Sequence, residues 1–350
     1  MVGLVFTSPS FYLKQKMDFK TLQKIVVENN SFLLTTHVNP DADAIGSEVA
    51  LYRILKRLGK EVLIINHSST PYNLAFLDSD NIILKYDSKL HNKYFENIDV
   101  LVALDLNRSS RLVSIEKTFL ESDKIKICID HHQEPEDFAD YHILDDQYSA
   151  TSQILYDFVK ETKIVKLDYE IAYPLYAGIM TDTGSFRFER TTAKLHNVIA
   201  ELLDTGVNPV EIYDKIYDQS KISKIRLLGR ALDTLRLIEN GKIGYMYITQ
   251  DTFNELNAFE SDTENFVNYT LSIENVVLGL LFIELKKGFK VSFRSKGNIP
   301  INKLAAKFGG GGHTNAAGAR FYDANMMEEI KQILATAKEF FTNYTQEENV

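Results

Sequence analysis

A chain of 350 residues is more than one compact core usually holds, and it has room for two domains. Its composition, 45% hydrophobic and 25% charged, is that of a globular protein, and its longest apolar run, at 276–283, falls far short of the roughly 20 residues of a membrane span. The net charge of −9 argues against long nucleic acid held over a broad surface, and a single cysteine, Cys128, excludes an intramolecular disulfide or a multi-cysteine zinc site.

The N-terminus reads Met-Val-Gly-Leu-Val-Phe, with no basic residue ahead of too short an apolar run, so no signal peptide is expected. Together with the lone cysteine, which suits a reducing compartment, this predicts a cytoplasmic protein without a membrane anchor. Residues 1–17 are expected as an extension. Residues 31–38 read as a buried strand, and 44–58 carry apolar side chains at helical spacing up to Gly59. Three more strands follow at 61–66, 99–105 and 124–130. They are rich in Val, Ile and Leu, the pattern of a parallel sheet covered on both faces. From 150 to 233 the pattern is mainly helical, with a loop at 184–190. Two hairpins are expected beyond it, at 235–249 around Asn240-Gly241 and at 276–293 around Lys287-Gly288, and a last helix at 324–341. The predicted class is α/β. A mainly parallel sheet with helices on both faces occupies 18–220, a helical connector 221–235, and a smaller mixed α/β domain 236–345, across a cleft from the first.

Three predicted strands end in groups that bind metals. After the first comes His37-Val-Asn-Pro-Asp41-Ala-Asp43; after the third, Asp105; after the fourth, Asp130-His131-His132. Ligands of open α/β sheets bind outside the carboxyl ends of strands. A fourth acid, Asp182, lies where a helix gives way to Thr183-Gly184. Asp41 and Asp43, two residues apart at the mouth of a helix, diverge and reach two adjacent ions more easily than one. His37, Asp41 and Asp105 then hold one ion; Asp43, Asp105, His131 and Asp182 hold the other, with Asp105 bridging. Taken singly, Asp-Ala-Asp would be a helix N-cap and Asp-Thr-Gly an ordinary turn; four such groups at element ends argue together. Imidazole and carboxylate without sulfur suit two divalent ions, Mn²⁺ foremost and Mg²⁺ or Co²⁺ as alternatives. Two such ions lower the pKa of a water between them and hold attacking and leaving oxygens in line.

These residues resemble the motifs of the DHH phosphoesterase superfamily: the His37–Asp41–Asp43 run, Asp105, the naming Asp130-His131-His132, and Asp182-Thr183-Gly184. The second half is similar to the DHH-associated C-terminal domain, through Gly309-Gly310-Gly311-Gly312-His313, Ala316-Ala317-Gly318 and Ser292-Phe293-Arg294-Ser295. Within the superfamily the arrangement is most similar to the stand-alone nano-RNase group. That resemblance implies a manganese-dependent oligoribonuclease or 3′,5′-bisphosphate nucleotidase acting on short RNA or DNA oligonucleotides or on mononucleotide bisphosphates. It also implies a catalytic role for His132, a non-ligand histidine near the scissile phosphate, alongside Asp105. Stand-alone cyclic- or linear-dinucleotide phosphodiesterases share the same core and are the alternative; a catalytically silent nucleotide sensor would be expected to lack a ligand. A homodimer is left open.

Charge is unevenly placed. Residues 286–320 hold six lysines, two arginines and no acid, so this window carries +8 and the remainder −17. The four glycines at Gly309, Gly310, Gly311 and Gly312 permit close backbone approach to a ligand and an anion nest, His313 can donate to a phosphate or stack on a base, and Arg294 offers a bidentate fork. A short site lined in this way favours small nucleotides over long or duplex nucleic acid.

Overall fold

The computed structural model describes residues 17–347. The expected extension and the N-terminal segment read for a signal peptide lie almost wholly outside the described residues. The chain divides after Gln219 into two compact units.

The first unit runs α1 (Phe19–Glu28), β1 (Ser31–Thr36), α2 (Ala42–Arg57), β2 (Glu61–Asn66), β3 (Ile83–Lys85), α3 (Ser88–Asn97), β4 (Val100–Leu104), α4 (Glu116–Glu121), β5 (Ile125–Asp130), β6 (Tyr141–Leu144), and then α5 (Thr151–Thr162), α6 (Tyr169–Asp182), α7 (Ala193–Asp204) and α8 (Pro209–Tyr217). Its six strands are all parallel, in the order β3-β2-β1-β4-β5-β6. After β1 the chain builds outward to β2 and β3, then returns to place β4 on the other side of β1. The strand order therefore reverses between β1 and β4, where such sheets open a crevice at their carboxyl ends.

Strand side chains alternate between two apolar layers. Phe32, Leu34, Val102, Leu104, Ile127 and Ile129 face α2, α5 and α6. Leu33, Leu101, Ala103 and Cys128 face the layer built from Phe95 and Phe119. Cys128 is thus a small core residue. With both faces covered, the near-continuous apolar strands of the sequence are accounted for. Strands β3 and β6 escape the sequence reading because three or four residues, of which only His142 and Ile143 are buried, give no pattern to detect.

Helices α2 and α6 pack unusually closely. A Cβ on Gly46 would lie 2.4 Å from the Pro174 carbonyl oxygen, and one on Gly178 would lie 2.2 Å from Ser152 Oγ and 2.6 Å from an Asp43 carboxylate oxygen. Only hydrogen fits at either position.

The second unit runs α9 (Ile222–Asp233), β7 (Arg236–Ile238), β8 (Ile243–Ile248), α10 (Gln250–Leu256), α11 (Asn268–Leu271), β9 (Leu278–Glu284), β10 (Phe289–Ser295), α12 (Ile301–Ala306), β11 (Gly311–His313), β12 (Ala316–Phe321) and α13 (Met326–Glu347). Its mixed sheet has the order β11-β12-β10-β9-β8-β7, antiparallel except for β8 with β9. Phe282, Phe289, Val291 and Phe293 pack beneath α12 and α13 on one face. Met246, Ile248, Leu281 and Ile283 pack with Leu227 and Ala231 of α9 on the other. Both expected hairpins are present. Strands β11 and β12 and helix α12 were not anticipated, and α13 runs to Glu347, past the expected end at 341.

Candidate metal centre

At the carboxyl edge of the first sheet, the segments after β1, β4 and β5 converge with the end of α6. The ligand atoms of His37, Asp41 and Asp105 lie within 4.8 Å of one another, and so do those of Asp43, His131 and Asp182. Asp105, His131 and His132 form a third such group, so Asp105 and His131 each belong to two of the three. His37 Nε2 is 3.4 Å from Asp105, and His131 Nε2 is 3.0 Å from Asp182, 3.5 Å from Asp105 and 3.8 Å from Asp43.

Local structure explains each position. Asp41 caps α2, accepting from the Asp43 and Ala44 amides at 3.0 and 3.1 Å, so the capping and ligand readings describe one residue. Asp43, fully buried in the first turn, accepts from the Thr151 and Ser152 amides at 2.6 and 2.9 Å. It thereby caps α5 from across the fold, since Ala150 offers no side chain for the task. Asp105 sits just past β4 in the left-handed region, at φ 62, its amide held by the Ile129 carbonyl and its carboxylate accepting from Thr151 Oγ1 at 3.0 Å. Aspartate tolerates that conformation better than most residues.

His37 Nδ1 donates to the Val38 carbonyl at 2.9 Å, which turns Nε2 toward the Asp105 carboxylate, 3.4 Å away. His132 Nδ1 donates to Asp130 at 2.6 Å. The Arg111 guanidinium lies 3.3 Å from the other ring nitrogen; since arginine only donates, His132 Nε2 accepts.

The electrostatics are those of a site short of positive charge. Burial, with Asp105 and Asp182 adding to it, pushes the Asp43 carboxyl well above its ordinary pKa. Asp182 is raised to about 6, by burial foremost and by the Asp41 charge, with His131 acting the other way. Burial also works against the Asp105 carboxylate, but hydrogen bonds from His131 and His37 overcome it and hold its pKa well below the usual range. Burial opposes a charge on His131 too; Asp105 and Asp182 outweigh it and raise that pKa well above normal. His132 is raised in the same way, by Asp130 and Asp105 against burial. Three carboxylates concentrated in a buried site, with imidazole nitrogens beside them, form a donor set suited to divalent cations.

Behind this edge lies support that the sequence reading missed. Glu48, fully buried on α2, accepts from Asn66 Nδ2 at 2.8 Å; Asn66 Oδ1 accepts from the Thr36 amide at 3.2 Å; Thr36 Oγ1 donates to the Leu104 carbonyl at 2.7 Å. The chain joins the tips of β1 and β4, immediately before His37 and Asp105. Burial pushes the Glu48 carboxyl well up. A glutamate among apolar residues on the inner face of a predicted helix was the signal available.

In the second unit, Arg294 lies on β10 and donates to the Phe293 carbonyl at 3.0 Å; burial lowers its pKa, and Glu264 acts the other way. The glycine run is more ordered than a loop. Gly309 and Gly310 donate to carbonyls of α12, and Gly311 to His313 form β11, paired with β12. Positive φ is confined to Gly309 and Gly312 within the run, at 70 and 144. Two of the four amides are therefore spent on the end of α12. Within the acid-free window, Lys290 and Arg320 both pair with Glu260 at 2.8 Å, so that part of the +8 is neutralised locally.

Comparison with known proteins follows this division. Residues 31–179 match the model of the DHH family, N-terminal domain, and residues 240–343 match the DHHA1 domain. The bifunctional oligoribonuclease and PAP phosphatase NrnA of Thermus thermophilus is 32% identical, over 95% of this chain and 96% of its own. The protein of the same name from Bacillus subtilis is 30% identical, over 87% and 93%. Among solved structures, an exopolyphosphatase-related protein from Bacteroides fragilis superposes with a TM-score of 0.88 at 31% identity, covering 94% of this chain and 97% of its own.

Proposed function

The chain belongs to the DHH family and carries a DHHA1 domain behind the DHH domain, and from that premise we infer a metal-dependent phosphoesterase that hydrolyses short oligoribonucleotides and adenosine 3′,5′-bisphosphate. The observation that carries this reading is the convergence of His37, Asp41 and Asp105, and of Asp43, His131 and Asp182, at the switch point of the first sheet. These six residues would hold two divalent ions, with Asp105 common to both. Ions there would supply Lewis-acid polarisation of a phosphoryl group and acidification of water.

The protein's own groups do the rest. The Glu48–Asn66–Thr36 chain keeps His37 and Asp105 in place. Asp130 orients the His132 ring through Nδ1 and, with Asp105 and against burial, raises its pKa, which suits Nε2, once Arg111 releases it, to carry a proton to the leaving oxygen. Arg294, His313 and the glycine segment hold the part of the substrate that is not cleaved. Imidazole and carboxylate ligands without sulfur suit Mn²⁺, with Mg²⁺ or Co²⁺ as alternatives. The lone, buried Cys128 is consistent with work in the cytoplasm, and a homodimer is compatible with everything described. No helix among the described residues is long and apolar enough to cross a membrane.

The test is a substrate series: a ladder of RNA lengths from the dinucleotide upward, adenosine 3′,5′-bisphosphate and cyclic di-AMP, each with Mn²⁺, with Mg²⁺ and with chelator. Cleavage should require the ion and be fastest, in kcat/KM, for the shortest RNAs and the bisphosphate. A preference for long RNA, or cleavage undiminished by chelator, would overturn the reading.

A further inference from the structure

The arginines of the first unit differ in what they rest on. Arg53 pairs with Glu170 and Asp80, Arg57 with Asp168 and Arg108 with Glu134. Arg187 and Arg190 donate to the carbonyls of Gly184 and Tyr148. Arg111 does none of these. It is half-buried, and among the described residues its guanidinium makes no ion pair; its one side-chain hydrogen bond goes to His132 Nε2 at 3.3 Å. The carboxylates of Asp43, Asp105 and Asp182 are turned toward His37, His131 and the α5 amides. A guanidinium offers five N–H donors in a fork shaped for carboxylate or phosphate, and a neutral imidazole engages one of them.

The position of Arg111 is built into the fold. It lies on the short 3₁₀ turn Ser109–Leu112, between the Asp105 loop and α4. Its carbonyl accepts the Val38 amide at 2.9 Å, tying the turn to the loop after His37. The Ser109 amide is held by Glu136 at 3.0 Å, beyond the His131-His132 segment, and its hydroxyl by Glu116 at 2.8 Å; Glu136 in turn donates its amide to the Asn107 carbonyl. The turn ends at Val113, at φ 50 and ψ −104, a region that a β-branched residue enters only at a cost. Three ligand-bearing loops thus converge on a strained turn that presents one cation.

We propose that Arg111 is a phosphate-binding residue of this site, taking a non-bridging oxygen of the phosphate to be cleaved. The proposal rests on the phosphoesterase reading and adds to it the residue that grips the reacting group from the protein side. In the free protein the guanidinium rests on His132; a bound phosphate, being charged and bidentate, is the stronger acceptor and draws it over.

Titrating the Mn²⁺-loaded full-length protein with adenosine 5′-monophosphate by calorimetry tests this, in wild type, Arg111→Met and Arg111→Lys. Arg111→Met should weaken binding about tenfold or more, the scale of one charge-assisted hydrogen bond. Arg111→Lys should recover part of it, since lysine keeps the charge and loses the fork. Mn²⁺ affinity and Tm should stay at wild-type values, and KM for bis-nitrophenyl phosphate should rise in step with the lost affinity. Unchanged nucleotide affinity with a lower kcat would make Arg111 a support for His132 and overturn the proposal. A loss of Mn²⁺ affinity would overturn it as well, since the residue would then be holding the metal loops. A wild type that binds the nucleotide through Arg111 and cleaves no ester would sink the phosphoesterase reading, and Arg111 would stand as a phosphate-binding residue without a reacting phosphate.

Discussion

At the edge of the first sheet, Asp43 and Asp105 are 0% and 1% exposed, and amides and a hydroxyl from α5 hold their carboxylates. At the far edge of the second sheet, Gly311 and Gly312 are exposed, β11 has a partner on one side only, and a methyl on Gly311 would meet nothing within 4 Å. The first region fixes these carboxylates within the protein itself, as preorganised chemistry requires. The second keeps open backbone available, as suits groups that receive ligands of differing length. Both regions derive from the same chain physics, and they differ in what they bury.

Breaking the buried region should have the largest effect. Asp105→Ala should lower kcat/KM on every substrate about a thousandfold or more and by more than any other single ligand change, because Asp105 is the ligand proposed to serve both ions. Residual activity within a few-fold of wild type in Mn²⁺ would contradict a shared ligand.

Ion binding should depend steeply on pH. With Asp182 raised to about 6 and His131 raised above its ordinary value, both hold protons in the ion-free protein at pH 5. Each proton must leave before its group can bind an ion. Affinity should therefore rise between pH 5 and pH 8, by roughly tenfold per unit for each group still protonated, with protons released on binding. Calorimetry in buffers of different ionisation enthalpy reads that release; a flat profile would place the ions elsewhere.

The second region sharpens the comparison at smaller amplitude. Arg294→Ala and His313→Ala should each lower kcat/KM on oligonucleotides about ten- to a hundredfold and spare a nitrophenyl ester, which has no distal portion to hold. Equal losses on both substrates would assign these residues to folding or to the chemical step. Smallest of all, Gly311→Ala should leave Tm within about a degree, since the added methyl enters open space, and raise KM for oligonucleotides a few-fold. An unchanged KM would mean that no ligand approaches the backbone there.

The same contrast governs what could be read from the sequence. The α/β class and the strands at 31–36, 61–66, 100–104 and 125–130 were legible because strands buried on both faces are written as unbroken Val, Ile and Leu. His37, Asp41, Asp43, Asp105 and His131 stood out because they follow where such a run stops, and Asp182 because it sits where a helical pattern gives way to Thr183-Gly184. Arg111 and Asn66 did not, since nothing local separates an arginine on a short turn from a solvated one, or an asparagine ending a strand from a turn residue. Their partners lie 21 residues away at His132 and 18 away at Glu48. The glycine segment misled in another way. Glycine has no strand preference, so the pairing of β11 is imposed by β12, and only the folded sheet shows it.

The two glycines between α2 and α6 govern more than packing. Asp43 stands in the first turn of one helix and Asp182 at the last residue of the other, so the separation of these acids is gauged by how nearly two backbones can touch. The aperture of the site is thus set by positions that are not themselves ligands, one of them directly against Asp43. Exchanging one ligand for another alters the chemistry of a single arm at fixed aperture, whereas one methyl at Gly46 or Gly178 would wedge the helices and move opposite walls together. A library built to retune this site for a larger or smaller ion would find its coarse adjustment in that helix pair, among residues that carry no functional group at all.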